Sequence, residues 1–324
     1  MEKREATSDA SQALDAKQLR IIHIAFLDGF LLRSARVSLL SQFELVQVKS
    51  GAWSVRCRRL GETFHPVVGP LVEAESLYIH QLQLPRKIRA SSEIFVVWDV
   101  GLGSAGNVIA LLRNTQNLEQ GLRIISFDHS REPLRFAMQN LQRLDFLQCY
   151  EKALATLLEN GSVKFKNGIQ PVVWELIESD FPSLLESSNS NLWPKPSAII
   201  YDAFSPARNP TMWTLPVFSR IRRLLPAHHS CVLATYSRST LLRVTLLLAG
   251  FYVGAGERTG EKEETTLAGV RIDDVERPLG VEWLAKVRRS SSAEPLVSGI
   301  YRQAPLSAES MENLERHPQF AGGK

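Results

Sequence analysis

The feature that most constrains this chain is a regular alternation of short apolar runs and helix-like segments from Ser92 onward. Five runs are typical of buried strands: EIFVVWDV (93–100), GLRIISFD (121–128), PVVWELIESD (171–180), SAIIYDAF (197–204) and SCVLATYS (230–237). A last pair, FYVGAG and TTLAGVRI, ends the series. This alternation predicts an α/β fold with a mostly parallel, doubly wound sheet. Ligands of such sheets lie beyond the carboxyl ends of the strands.

The residues before this region follow a different pattern. Two alternating runs between Val46 and Arg58, joined by Ser50-Gly51, predict a hairpin. A helix is predicted to begin at Pro70 and to end at Pro85. We therefore expect four parts, namely a disordered leader (1–18), a β-rich extension with a helix (19–91), the sheet domain (92–275) and a tail (276–324).

The composition is that of an ordinary globular protein. The chain has 324 residues, with 38 Lys and Arg against 34 Asp and Glu, a net charge of +4, and it is 44% hydrophobic. Three cysteines are too few for a disulfide scaffold, and no apolar run is long enough to span a membrane. The polar N-terminus lacks the apolar core of a signal peptide, so we expect a cytoplasmic protein.

The first strand runs into a glycine-rich turn, DVGLGSAGN, from Asp99 to Asn107. Gly101, Gly103 and Gly106 allow a tight turn and a close approach to a ligand, and the helix that follows offers free N–H groups. NAD enzymes and methyltransferases both use such a turn, and a turn without any ligand is the alternative.

Acidic residues end the next two strands. Asp128 lies about twenty residues beyond the glycine turn, where a carboxylate accepts hydrogen bonds from a ribose diol. Asp180 is placed to accept from the amine of an adenine. Either acid has a simpler alternative role, because each directly precedes a predicted helix and can cap its N-terminus.

The fourth strand ends in the segment DAFSPARNPTMW (202–213). An aspartate at the end of a buried strand, followed by a loop with two prolines, indicates a carboxylate held at a reaction centre. A packed crossover loop with a capping Asp202 is the alternative. Tyr236, at the end of the fifth strand, either bounds the same pocket or belongs to the core.

The segments DVGLGSAGN, SFDHSREPL, DAFSPARNPTMW, ATYSRSTLLRVTLLLAGFYV and GEKEET occur in this order and at the spacing of a known family. The chain resembles the methyltransferase domain of MnmC, a bacterial enzyme that completes 5-methylaminomethyl-2-thiouridine at the tRNA wobble position. The stretch GETFHPVVGPLVEAESLY is similar to stand-alone members. The resemblance covers about residues 60–270.

This resemblance implies a class I Rossmann-like methyltransferase that uses S-adenosylmethionine to methylate the exocyclic amine of 5-aminomethyl-uridine. It assigns the catalytic centre to Asp202 and Asn209. The cofactor contacts that it implies are Asp99, Gly101, Gly103, Gly106, Asn107, Asp128 and Asp180. The substrate pocket that it implies consists of Phe204, Pro206, Trp213 and Tyr236.

The FAD-dependent oxidase half of the bifunctional enzyme has no counterpart in this pattern, so we expect a separate oxidase to act upstream. No metal site is predicted, because His228-His229 has no Cys or Glu at ligand spacing.

Basic residues between Phe204 and Lys262 predict contact with an anticodon stem-loop of tRNA. Two acids, Glu257 and Glu261, stand against eight basic residues: Arg208, Arg220, Arg222, Arg223, Arg238, Arg243, Arg258 and Lys262. His65 or Trp213 could stack on a base. The alternatives are a solvated helix face for Arg220–Arg223 and a buried histidine at position 65.

Three other functions remain open at this stage. The same fold could act on a small amine, as aminopropyl transferases do. A catalytically silent module could bind the cofactor or RNA. An NAD-dependent oxidoreductase is disfavoured because the strand ends lack a His or a Lys–Tyr pair for hydride transfer.

Overall fold

A computed structural model describes residues 42–187, 193–256 and 264–321. The predicted leader (1–18) lies outside these residues, and so do Arg258 and Lys262 of the predicted basic region. None of the helices in the described residues is long and apolar enough to cross a membrane.

A large, mostly parallel sheet forms the centre of the fold, as the sequence predicts, and it has eight strands because the edge strand β6 adds to the seven predicted ones. Its strands are β4 (Phe95–Val100), β5 (Leu122–Asp128), β6 (Ser162–Asn167), β7 (Gln170–Glu178), β8 (Ala198–Tyr201), β9 (Val232–Thr235), β10 (Tyr252–Ala255) and β11 (Thr266–Gly269). They lie in the order β10-β11-β9-β8-β4-β5-β7-β6. Strands β7, β5, β4, β8 and β9 pair in parallel, whereas β6 and β11 are antiparallel to their neighbours.

The strand order reverses between β4 and β8. From β4 the chain moves outward to β5 and β7, and it then returns to β8 on the other side of β4. Such a reversal leaves a crevice at the carboxyl ends of the two strands, which is where doubly wound folds bind their ligands. Here it brings the glycine-rich turn after β4 next to the Asp202 loop after β8.

Helices cover both faces of the sheet. They are α1 (Pro70–Ala74), α2 (Leu84–Arg89), α3 (Gly106–Thr115), α4 (Glu132–Met138), α5 (Glu151–Asn160), α6 (Phe181–Glu186), α7 (Leu215–Leu224), α8 (Thr240–Leu248), α9 (Glu282–Arg288), α10 (Ala308–Glu315) and α11 (Pro318–Ala321). Successive side chains of a strand point to opposite faces, so Val97 packs in one apolar core and Trp98 in the other.

A small antiparallel sheet precedes the large one and confirms the predicted hairpin. Its strands are β1 (Phe43–Gln47), β2 (Trp53–Cys57) and β3 (Glu62–Thr63). The turn includes Gly51 with φ 89°, a left-handed conformation that glycine adopts without strain. The short third strand was not predicted.

The helix that begins at Pro70 differs from its prediction at the C-terminal end. It continues from α1 into a π-helix over Glu75–His80, and Gln83 then takes a left-handed φ of 52°. Pro85 does not end this helix but lies in the first turn of α2. A proline fits there because the N–H groups of a first turn have no partner within the helix.

The segment after residue 275, predicted as a tail, packs onto the large sheet. Trp283, Leu296 and Phe320 are buried in the core that contains Trp98. The backbone N–H of Leu215 donates to the carbonyl of Leu296 at 2.8 Å. Because this region buries large apolar side chains, it contributes to the stability of the sheet.

Candidate active site at the carboxyl ends of the strands

The carboxylate of Asp202 lies among three polar side chains at the end of β8. The Tyr78 hydroxyl donates to its Oδ1 at 2.7 Å, and Nδ2 of Asn107 donates to its Oδ2 at 2.8 Å. Nε2 of His65 lies 3.4 Å from the same Oδ2. The Asp202 side chain keeps 17% of its surface exposed, so the carboxylate can still be reached from the crevice.

Two opposing effects set the charge of Asp202. Burial by itself would raise the pKa of its carboxyl group, but the hydrogen bond and charge of His65 lower it, as do the hydrogen bonds from Asn107 and Tyr78. The lowering effects prevail, and the pKa lies below its usual value of 3.8. The group is therefore an anion at neutral pH and a weak base.

The segment that follows β2 crosses over the loop that carries Asp202. The carboxylate of Glu62 accepts hydrogen bonds from the backbone N–H and the hydroxyl of Ser205. The rings of Phe64 and Phe204 pack with centroids 5.4 Å apart. The small N-terminal sheet is thus joined to the Asp202 loop by polar and aromatic contacts.

The three glycines of the turn after β4 are surrounded by protein atoms. A Cβ on Gly101 would lie 2.7 Å from the backbone oxygen of Asp202, and a Cβ on Gly103 would lie 3.2 Å from the Phe64 ring. A Cβ on Gly106 would lie 3.2 Å from Cε1 of His65. A side chain at Gly101 would therefore clash with the backbone of Asp202, and one at Gly103 or Gly106 would force Phe64 or His65 to shift by a few tenths of an ångström.

Asp128 lies beside the same turn. Its Oδ2 accepts from the N–H of Gly103 at 2.9 Å, and its Oδ1 accepts from the N–H of Ser130 at 3.2 Å. Burial raises the pKa of this carboxyl group, and these two hydrogen bonds act against that rise. Each carboxylate oxygen has a second lone pair, so Asp128 can still accept hydrogen bonds from a ligand.

Asp99 is fully buried at the end of β4. Its Oδ2 accepts from the Ser126 hydroxyl at 2.7 Å, whereas its Oδ1 has no hydrogen-bond partner. The hydroxyl of Ser104 in the turn is also buried and unpartnered. Burial raises the pKa of Asp99 to about 7, against the effect of Ser126. Unsatisfied polar atoms of this kind indicate a ligand or ordered water nearby.

Comparisons with known proteins agree with this geometry. Residues 147–271 match a family model described as S-adenosyl-L-methionine-dependent methyltransferase. The tRNA 5-methylaminomethyl-2-thiouridine biosynthesis bifunctional protein MnmC of Stutzerimonas stutzeri is 26% identical over 284 residues, which are 82% of this chain and 41% of that protein. The MnmC of Methylibium petroleiphilum is 27% identical over 250 residues, which are 74% and 36% of the two chains.

The fold has a similar counterpart among solved structures. The structure of MnmC2 from Aquifex aeolicus superposes with a TM-score of 0.61 at 22% identity, over 84% of this chain and 82% of that one. The chain is similar to MnmC proteins in sequence and to MnmC2 in fold. It spans about two fifths of the length of the curated relatives.

The other residues that the sequence assigned to the site have varied surroundings. Asn209 does not bind Asp202 but accepts through Oδ1 from the Thr211 hydroxyl at 2.9 Å. Phe204 and Pro206 are partly exposed in the loop. The Tyr236 hydroxyl donates to the carbonyl of Ala203 at 3.0 Å. Tyr236 therefore helps to hold the loop that follows Asp202.

Trp213 was expected to stack on a base, and its placement does not allow this. The side chain is fully buried and its Nε1 donates to the carbonyl of Phe204 at 2.7 Å. Its ring packs against Tyr201 at 5.2 Å and Tyr236 at 6.0 Å. No face of the indole is open to a nucleotide, so Trp213 holds the loop in place.

Asp180 takes the capping role that the sequence left open. It is the N-cap of α6, and its Oδ2 accepts from the N–H of Ser183 at 3.1 Å and from the Ser183 hydroxyl at 2.6 Å. The side chain is exposed, so a cofactor contact stays a prediction.

The predicted basic face contains one residue that faces the interior. Arg243 has only 2% of its side chain exposed, and it binds Glu264, the hydroxyl of Thr266 and the carbonyl of Thr265. Arg220 pairs with Glu186 at 2.9 Å. Arg243 therefore belongs to the packing of α8 on β11 and not to an RNA surface. Arg208 and Arg223 are exposed, as predicted.

The sequence did not show which two residues donate to Asp202. Asn107 was predicted to bind the cofactor, and this stays a prediction; its amide lies between Asp202 and His65. Tyr78 was not singled out at all. Its presence on a helix that begins at Pro70 gave no sign of a site, and the structure places it in a π-helical turn whose Tyr78 hydroxyl reaches Asp202.

Proposed function

We propose that this chain methylates the exocyclic amine of 5-aminomethyl-(2-thio)uridine at the wobble position of tRNA, with S-adenosylmethionine as the methyl donor. The observation that carries the proposal is the ionised, partly exposed Asp202 beside the glycine-rich turn at the point where the strand order reverses. The names of the curated relatives concern the biosynthesis of 5-methylaminomethyl-2-thiouridine in tRNA, which is the nucleoside that this methylation would yield, and they support the choice of substrate.

The residues around the turn fit S-adenosylmethionine. The unpartnered Oδ1 of Asp99 and the hydroxyl of Ser104 would receive polar groups of its methionine end. Asp128 would accept from the ribose hydroxyls, and Asp180 is proposed to face the adenine amine. The bound cofactor supplies an electrophilic methyl group on a sulfonium.

Asp202 is proposed to orient the substrate amine and not to deprotonate it. A carboxylate that already accepts from Tyr78 and Asn107 and faces His65 is a poor proton acceptor. The ammonium therefore loses its proton to solvent before the reaction. The neutral nitrogen would then take up the methyl group while the sulfur keeps the electron pair of the broken C–S bond. The nitrogen would become a secondary ammonium, whose developing positive charge the Asp202 anion would stabilise. Alignment of the nitrogen with the methyl group supplies much of the rate.

An exposed arginine beside the centre supports a tRNA partner. Arg208 lies in the loop that carries Asp202, and its side chain is exposed. It is available for a phosphate contact with an anticodon stem-loop. A separate FAD-dependent oxidase that supplies the aminomethyl group stays a prediction, as does the cytoplasmic location.

The substrate can be tested with the purified chain and labelled S-adenosylmethionine. We expect methyl incorporation into tRNA that carries 5-aminomethyl-uridine and none into the same tRNA with an unmodified wobble uridine. Incorporation into spermidine or another small amine, with no incorporation into the tRNA, would instead favour a small-molecule transferase. Binding of the cofactor with no transfer to any amine would favour a silent module.

A further inference from the structure

His65 is a buried residue in an unusual backbone conformation that the proposed chemistry does not yet use. It directly follows Phe64, and its φ is +49°. Left-handed backbone is uncommon for residues other than glycine, and it persists only where the surroundings enforce it. An enforced conformation at the edge of a crevice indicates that the position of this side chain matters.

Glu73 in α1 holds the turn that follows His65. Its Oε1 accepts hydrogen bonds from the N–H groups of Val67, Val68 and Gly69 at 2.6, 2.9 and 3.3 Å. The turn after His65 is thereby fixed to the helix that also leads to Tyr78. The imidazole itself has 8% of its surface exposed and packs on Gly106.

The contacts of Nε2 determine where the imidazole carries a proton. Nε2 lies 3.0 Å from Oδ1 of Asn107 and 3.4 Å from Oδ2 of Asp202, which are both acceptors. The amide nitrogen of Asn107 already donates to Asp202, and this fixes which way the amide points. His65 therefore carries hydrogen on Nε2 and donates from it.

Charged groups on several elements face this imidazole. The hydrogen bond and charge of Asp202, and the charge of Glu73, raise the pKa of His65 against the lowering effect of burial. Asp99 interacts electrostatically with both His65 and Asp202. The Tyr78 hydroxyl donates to Asp202, and Tyr236 interacts with it electrostatically. Because Asp202 and Glu73 both carry negative charge near the imidazole, they favour a His65 side chain that donates a hydrogen bond.

The donors also limit how Asp202 can receive a substrate. A carboxylate offers about four acceptor positions. His65 and Asn107 face Oδ2, and Tyr78 occupies one position on Oδ1. This leaves one position on Oδ1 for an N–H of an incoming amine. An amine that donates one N–H to this single acceptor position is fixed in orientation, so its lone pair points in a defined direction. Displacement at a methyl group requires such an alignment.

We propose that His65 is a positioning residue for amine methylation, which through Nε2–H holds Asn107 and Asp202 in one arrangement and so directs the remaining acceptor position of Asp202 at the substrate nitrogen. The proposal rests on the proposed function. It also makes the Glu62–His80 segment a part of the catalytic centre.

The test compares His65→Gln, whose amide can replace the Nε2 donor, with His65→Ala, which cannot donate. In assays with aminomethyl-uridine tRNA we expect kcat to fall roughly 10- to 100-fold in His65→Ala. The glutamine variant should recover most of this loss. Binding of S-adenosylhomocysteine and the Tm of both variants serve as measures of an intact fold.

A second readout does not depend on the tRNA. Sinefungin resembles S-adenosylmethionine but carries a primary amine at the position of the transferable methyl group. The wild-type protein and His65→Gln should bind sinefungin more tightly than S-adenosylhomocysteine, and His65→Ala should lose this preference. If the alanine variant keeps both its kcat and this preference, the proposal is wrong. If the three proteins bind sinefungin as predicted but the wild type does not methylate the tRNA, the role of His65 stands and only the proposed tRNA substrate is wrong.

Discussion

The Tyr78 hydroxyl donates to Oδ1 of Asp202 at 2.7 Å, although 124 positions of chain separate the two residues. Tyr78 lies in the π-helical turn of the N-terminal region, and Asp202 follows β8 of the large sheet. A π-turn widens a helix locally and is frequent at functional sites. The hydrogen bond therefore joins the N-terminal region to the loop that we assign to the substrate.

Removal of this hydroxyl should affect turnover more than stability. In Tyr78→Phe we expect kcat to fall roughly tenfold, because a hydrogen bond to a charged group contributes about 1.5–3 kcal/mol. Binding of S-adenosylmethionine, measured by calorimetry, should stay within about twofold. Tyr150→Phe is the matched control, since its hydroxyl donates to Asn167 on the edge strand β6. Equal kcat losses in the two variants would contradict a specific role for Tyr78.

A small steric change at Gly106 should disturb the centre without removing any polar group. A Cβ there would lie 3.1 Å from Pro70 and 3.2 Å from His65, so the imidazole must move by tenths of an ångström. In Gly106→Ala we expect a loss in kcat on the order of tenfold, because small misplacements are costly in a displacement reaction.

Gly121→Ala provides the comparison for this variant. Its Cβ would approach the exposed Ile94 at 3.3 Å, a similar closeness at the opposite end of the sheet. It should leave kcat unchanged. Loss of activity in Gly121→Ala would show that tight packing at any glycine has this effect.

About half of the residues around Asp202 could be placed in the candidate active site from the sequence alone, because the geometry of a parallel sheet brings them together. Asp202 and the glycine-rich turn each end a buried strand, and parallel strands place their carboxyl ends at one edge. Their proximity was therefore predictable. Glu62, His65 and Tyr78 come from outside the large sheet, and nothing in the periodicity of that region indicates where it crosses the sheet.

Arg243 shows the opposite error. A basic residue in a charged region was expected on an RNA surface, but its neighbours Leu242 and Val244 are both buried, and α8 is apolar on most of its surface. The guanidinium is satisfied by Glu264 and by backbone and hydroxyl oxygens of β11 and the residue before it. The charge count alone could not show this pairing.

Arg243 and Arg208 should therefore respond differently to substitution. Arg243→Ala should lower the free energy of unfolding by about 3 kcal/mol, because it leaves buried acceptors unpaired. Arg208→Ala should leave unfolding unchanged, weaken tRNA binding and reduce the slope of the salt dependence by about one. Denaturant titration and binding assays at several salt concentrations measure the two effects. A stable Arg243→Ala protein would contradict the assignment of this residue to the core.

Asp99 should make stability depend on pH in a defined direction. Its folded pKa of about 7 lies above the usual 3.8, so the folded protein binds this proton more tightly than the unfolded chain. The carboxyl group therefore destabilises the fold increasingly as the pH rises from about 4 to 7, and the effect is constant above that range. Asparagine resembles the protonated form.

Asp99→Asn should accordingly have a higher Tm than the wild type at pH 8, and this difference should shrink toward pH 4. Its affinity for S-adenosylmethionine should fall, because the variant has lost the carboxyl group that we assign to the cofactor. Thermal unfolding over this pH range, in the absence of cofactor, measures the first effect. A Tm difference that does not vary with pH would contradict the buried, titrating carboxyl group.

The most direct test of the account is methyl transfer by Asp202→Asn. With aminomethyl-uridine tRNA and S-adenosylmethionine, the wild type should add one methyl group to the wobble nucleoside, as mass spectrometry of the digested tRNA would show. Asp202→Asn should bind S-adenosylmethionine within about threefold of the wild type but lose at least roughly 100-fold in kcat, because the neutral amide cannot stabilise the ammonium that forms. A variant that retains wild-type kcat would contradict the assignment of Asp202 to the reacting amine.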